Sequence, residues 1–98
     1  MESNARIFYN ELPEVYEKLL LFCTSNGFKV KEKEDKFYLI NAEKSSFLFW
    51  KNLRMELEIL AFEKTQTKVT SKIYTYWKRR YKLEQKYIMD IEKYILAN

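Results

Sequence analysis

The chain has no histidine. The side chain that titrates nearest neutral pH, which is also the commonest metal ligand, is therefore missing, and acid–base or metal-assisted catalysis loses its usual carrier. There is one cysteine, Cys23, so no internal disulfide can form, and a reducing, cytoplasmic setting is expected. The single glycine, Gly27, excludes a glycine-rich phosphate loop, and the single proline, Pro13, suits a first helical turn. The longest apolar run, Leu19 to Cys23, falls far short of the roughly 20 residues that span a bilayer as a helix, and nothing resembles a secretory signal. These gaps lead us to expect no enzyme activity, no cofactor, no metal and no membrane span.

What is present is ample material for a core. Of 98 residues 47% are hydrophobic and 17% aromatic, which excludes disorder and suits one domain covering 1–98. The net charge of +4 and pI near 9.1 are compatible with an anionic partner without requiring one.

The clearest pattern lies between Phe47 and Trp77. Leu53, Met55, Leu57, Ile59 and Ala61 alternate with Arg54, Glu56 and Glu58, the period of two of a strand with one buried face. Val69, Ile73 and Trp77 continue the parity against Lys68, Lys72, Tyr74, Tyr76 and Lys78, which predicts an antiparallel hairpin. With no Gly or Asn between the runs, a connection of about three to five residues is expected, with Glu58 opposite Lys72 and Arg54 opposite Tyr76.

Elsewhere, Leu12, Val15, Tyr16, Leu19, Leu20 and Cys23 recur at helical spacing up to Asn26 and Gly27, where a left-handed residue would close the helix. Runs 28–34 and 36–42 read as a second hairpin whose register the pattern leaves open, and 41–46 reads as a polar connection. From about Arg79, Leu83, Tyr87, Ile88, Ile91, Tyr94 and Ile95 form a second helical stripe. Residues 1–10 read equally as a flexible arm, an edge strand or a helical turn. The expected fold is α+β: helix, four-stranded antiparallel meander, helix, with both helices on one face.

Two surfaces stand out. Leu48, Trp50, Arg54, Tyr74 and Tyr76, joined by Leu60 and Phe62, share the parity facing away from the helices, an apolar and aromatic face suited to a protein partner or a second copy. Lys78, Arg79, Arg80, Tyr81, Lys82 and Lys86 form the densest basic cluster, interleaved with aromatics, and suit a single-stranded nucleic acid. The competing interpretation of the cluster is a solvated helix face balanced by Glu84, Asp90 and Glu92. Cys23 lies on an apolar stripe as core filling, and the same-face pairs Glu56 with Glu58 and Glu32 with Glu34 read as solvated ion pairs. No family motif is present.

Overall fold

The computed structural model describes residues 4–34, 38–45, 52–75 and 78–97. The order is β1 (Ala5–Phe8), α1 (Leu12–Ser25), β2 (Lys29–Glu34), β3 (Leu39–Ser45), β4 (Asn52–Glu63), β5 (Gln66–Thr75), β6 (Lys78–Arg79) and α2 (Tyr81–Ala97). The strands form one antiparallel sheet in the order β1-β5-β4-β3-β2, with β6 also pairing β5. The α+β class and the run β2 to β5 match the pattern. The four-strand meander does not: the first strand precedes the first helix and lies beside β5, and 41–45, read as a connection, belongs to β3.

Alternation along β4 and β5 builds the buried face. Met55, Leu57 and Ile59 pair with Ile73, Ser71 and Val69 and are essentially fully covered, as are Ile40 and Ala42 of β3. Val15, Leu19, Phe22 and Cys23 of α1 and Ile88, Ile91 and Ile95 of α2 join them in one cluster, so both helices pack on the same side. Burial of a Leu or Ile of this kind contributes about 1.5–3 kcal/mol.

The register departs from expectation by two residues. Glu56 pairs with Lys72 and Arg54 with Tyr74, because Glu63 pairs with Gln66 across only Lys64 and Thr65. Neither turn residue has a positive φ, and a bulge between Ala61 and Glu63 takes up the mismatch between turn and strand twist. A shift of two leaves parity intact, so Met55, Leu57, Ile59, Val69 and Ile73 stay buried, while Leu53 is half-buried and Ala61, beside the bulge, is exposed.

The end of α1 follows its sequence signal closely. Gly27 has φ 80°, the Phe28 N–H donates to the Cys23 carbonyl at 2.8 Å, and the Gly27 N–H donates to Thr24 at 3.3 Å. This Schellman closure turns the chain into β2. Beyond β2, where no glycine is available, Tyr38 takes φ 50°. Its carbonyl accepts the Ile59 N–H, and its ring meets Tyr16 edge-on at 5.4 Å, contacts that offset the roughly 1 kcal/mol or more of left-handed strain.

Candidate functional site

The sheet presents its second face to solvent on the side away from the helices. Across its strands, cross-strand partners on this face run Glu43–Arg54–Tyr74, Asn41–Glu56–Lys72, Leu39–Glu58–Thr70–Ala5 and Leu60–Lys68–Ile7. The Arg54 guanidinium sits over the Tyr74 ring at 4.7 Å from its centroid, a cation–π contact that keeps both side chains on the surface. Lys72 reaches diagonally to Glu58 at 3.1 Å, and this hydrogen bond raises the lysine pKa above its ordinary value. Toward the hairpin tip the face carries two apolar side chains, Leu60 at 59% exposed and Ile7 at 42%. Arg54 and Tyr74 thus lie together as the parity requires, with Leu60 at the far end of the same face, while Phe62 stands unpaired at the bulge where the alternation breaks. Leu48, Trp50, Tyr76 and Trp77 lie outside the described residues, as do the side chains of Glu32 and Glu34.

The basic cluster is divided by the fold. Arg79 lies in β6 rather than on the last helix, and its Nε and Nη2 donate to the Glu84 carboxylate at 2.9 and 2.8 Å. Those hydrogen bonds raise the Arg79 pKa, so its charge is committed to the fold. Arg80 Nε donates to the Thr75 hydroxyl, and Lys86 lies 3.9 Å from Asp90. Lys78, Tyr81 and Lys82 are exposed, with Tyr81 at 62% under the Arg79 guanidinium. Of the two arginines read as phosphate contacts, one is held in a salt bridge and the other in a strand-end hydrogen bond.

Glu84 is the polar residue that the pattern placed on the surface and the fold places inside. It is fully buried, and besides Arg79 it accepts the Ile73 backbone N–H at 3.0 Å and Asn4 Nδ2 at 3.4 Å. The reason is local. β1 covers β5 from Thr67 to Thr70 and β6 covers Tyr74 and Thr75 on the same edge, leaving an opening between them. Asn4 fills one side of it, its carbonyl accepting the Ser71 N–H and its amide donating to the Ser71 carbonyl, and Glu84 fills the other. A buried N–H without a partner costs about 1–3 kcal/mol, which is what the carboxylate removes. The helical spacing of Glu84 to Tyr87, Ile88 and Ile91 was the available signal for its burial.

Cys23 is buried, and burial pushes its thiol up to about 12, so it is an unreactive core residue. Among the described residues no group of three or more His, Cys, Asp or Glu is placed to hold a metal, and no helix is long and apolar enough to cross a membrane. An open concavity of about 620 Å³ lies at the end of α1 between Thr24, Phe28, Lys29, Lys31, Glu43 and Lys44. Lys44 covers the Phe28 ring there, at 5.6 Å. Comparison with models of protein families and with curated proteins finds no match to this chain.

Proposed function

We propose that the chain is a noncatalytic binding module that contacts a protein partner through the outer sheet face, centred on Arg54 and Tyr74 and extending to Leu60 and Ile7. The observation that carries this is the stacked Arg54–Tyr74 pair on the side that neither helix covers, with exposed Leu60 and Ile7 on either side of Lys68 farther along the same face. Apolar side chains grouped with an arginine and an aromatic ring are the composition of interaction surfaces. Replacing Leu60 with a photo-crosslinking residue is expected to give a discrete protein adduct that disappears on Arg54→Glu. The same probe at the exposed Leu21, on the helix side, is expected not to give that adduct. No adduct at Leu60, or the same adducts from both positions, overturns the proposal.

A nucleic-acid reading retains one favourable observation, the exposed Tyr81 ring between exposed Lys78 and Lys82. With Arg79 committed to Glu84, about three lysines (Lys78, Lys82 and Lys86) remain, which gives a log–log salt slope near −2 for single strands, and loss of Tyr81 costs roughly 1–3 kcal/mol in binding. Fluorescence anisotropy with mixed-sequence single strands at low salt tests this, and a flat titration discards it.

A further inference from the structure

We propose that the concavity at the end of α1 binds a small anion carrying phosphate groups, held by Lys29, Lys31 and Lys44. This site is separate from Arg54 and Tyr74 and does not rest on the reading of the outer face. The fold brings the three lysines to one place. Gly27, at φ 80°, turns the chain from α1 into β2, so the helix end, the start of β2 and the end of β3 meet at one corner of the sheet, where Lys29 pairs with Glu43. The bulge between Val30 and Glu32 leaves Lys31 as an extra residue in the β2–β3 ladder, a device that re-aims a side chain. Lys44 reaches the same concavity from β3, its ammonium 5.6 Å from the centre of the Phe28 ring.

Charge supplies the second argument. The lining sets these three cations against one carboxylate, Glu43. Among the described residues none of the three lysines is in an ion pair, whereas Lys18, Lys72 and Lys86 have carboxylates at 3.4, 3.1 and 3.9 Å. A concave wall of low dielectric concentrates the field of such uncompensated charges. The end of α1 does not need all three cations. Its Phe22, Cys23 and Thr24 carbonyls already accept the N–H groups of Asn26, Phe28 and Gly27, and Lys44 Cε lies 3.8 Å from where a Cβ on Gly27 would stand.

Size and chemistry narrow the ligand. A volume of about 620 Å³ lies within the range of small-molecule sites, about 300–1,000 Å³. Phe28 is 3% exposed beneath Lys44 and packs edge-on against Tyr87 at 5.4 Å, so its ring is a fixed floor that offers no face for a base to stack on. Recognition therefore falls to charge. A phosphate monoester carries close to two charges and three acceptor oxygens, which three ammonium groups can share, whereas a carboxylate brings one charge and two oxygens. The phosphate chain, rather than what it is attached to, is the recognised part.

Isothermal titration calorimetry of the full chain at low salt, with inorganic tripolyphosphate and with ATP, is expected to show one site with a Kd of about 10–500 μM for each. Comparable values mark the phosphate chain as the whole determinant, and ATP tighter by more than about tenfold adds a contact to the nucleoside while the phosphate site stands. Citrate, an anion built from carboxylates, is expected to bind at least about tenfold more weakly. Lys29→Gln, Lys31→Gln and Lys44→Gln together are expected to abolish binding, and Glu43→Gln to tighten it at least about threefold by removing the negative charge of the lining. Lys78→Gln with Lys82→Gln, in the other basic region, is expected to leave binding unchanged. Circular dichroism verifies that each variant is folded, and if the triple variant is not, Lys31→Gln alone decides, with an expected loss of at least about threefold. No heat with either phosphate ligand overturns the proposal, as do binding of ATP without tripolyphosphate, citrate binding as tightly as tripolyphosphate, binding that survives the lysine variants, and binding that the Lys78 and Lys82 variant weakens equally.

Discussion

Two ion pairs of similar length flank β5, and they do different work. On the outer face Lys72 and Glu58 lie 3.1 Å apart, 30% and 39% exposed, with water available to both. In the gap between β1 and β6 along β5, Arg79 and Glu84 lie 2.8 Å apart with the carboxylate wholly buried. The solvated pair gains little, since its attraction is screened and its side chains lose freedom in making it. The buried carboxylate costs desolvation and is retained with several donors around it, so removing any partner leaves an uncompensated group. Position relative to water, rather than the presence of opposite charges, sets what each pair does, and it also determines which cations remain available to a partner.

The largest effect is expected from Glu84→Ala, which leaves the Ile73 N–H and the Arg79 guanidinium unsatisfied together. A loss of about 3–5 kcal/mol is expected in denaturant unfolding. A loss below about 1 kcal/mol would erase the contrast between the two pairs.

A second expectation concerns the alkaline limit of both regions. The native Cys23 thiol ionises near 12 against an ordinary value of 9.0, so its protonated form is favoured in the folded state. Its contribution is complete below about pH 9 and is lost above it at about 1.4 kcal/mol per pH unit, approaching its limit near pH 12. Tyr87, raised by burial and then by Asp90, and Lys72, raised by Glu58, lose stability in the same direction only above about pH 10. Thermal melts from about pH 8 to 10 are therefore expected to fall with a slope that Cys23→Ala removes.

The smallest effect sharpens the comparison from the other side. Glu58→Ala is expected to change stability by less than about 1 kcal/mol, and that small difference should diminish further in high salt. A double-mutant cycle on Lys72 and Glu58 isolates the pair, and a coupling as large as that expected at Glu84 would show that burial is not the deciding variable.

The same contrast explains how much of the molecule could be read beforehand. Parity along β4 and β5 was legible because Met55, Leu57 and Ile59 had to face one way for a core to form. Register was not, because it depended on Lys64 and Thr65 closing the hairpin without a glycine, with a bulge beside them. Phe22 is buried beside a run of apolar neighbours whose spacing did not distinguish it, while Leu21 next to it is exposed. β1 was only one of several readings, since its four residues carry little pattern and its place depends on a partner about 60 residues away in sequence. At the candidate sites, composition located the basic cluster but could not tell the arginine held by Glu84 from the lysines left in water. Arg54 and Tyr74 were legible as one surface because a strand's period of two fixes which side chains share a face.

The way the β5 edge is completed also sets an order of events during synthesis and folding. Asn4 donates to residues 67 and 80 positions later in the chain, Ser71 and Glu84, so a segment made before the meander has no finished place until α2 has been made. The pairings from β2 to β5 all join strands that are neighbours in sequence, whereas those of β1 and Glu84 do not. β1 and Glu84 then close the edge together, late, which implies slow final folding because so much sequence separates the groups that meet. A ribosome-bound chain halted before Glu84 emerges would expose the N–H of Ile73 and the outer edge of β5, the part of the sheet then most open to pairing with another nascent chain.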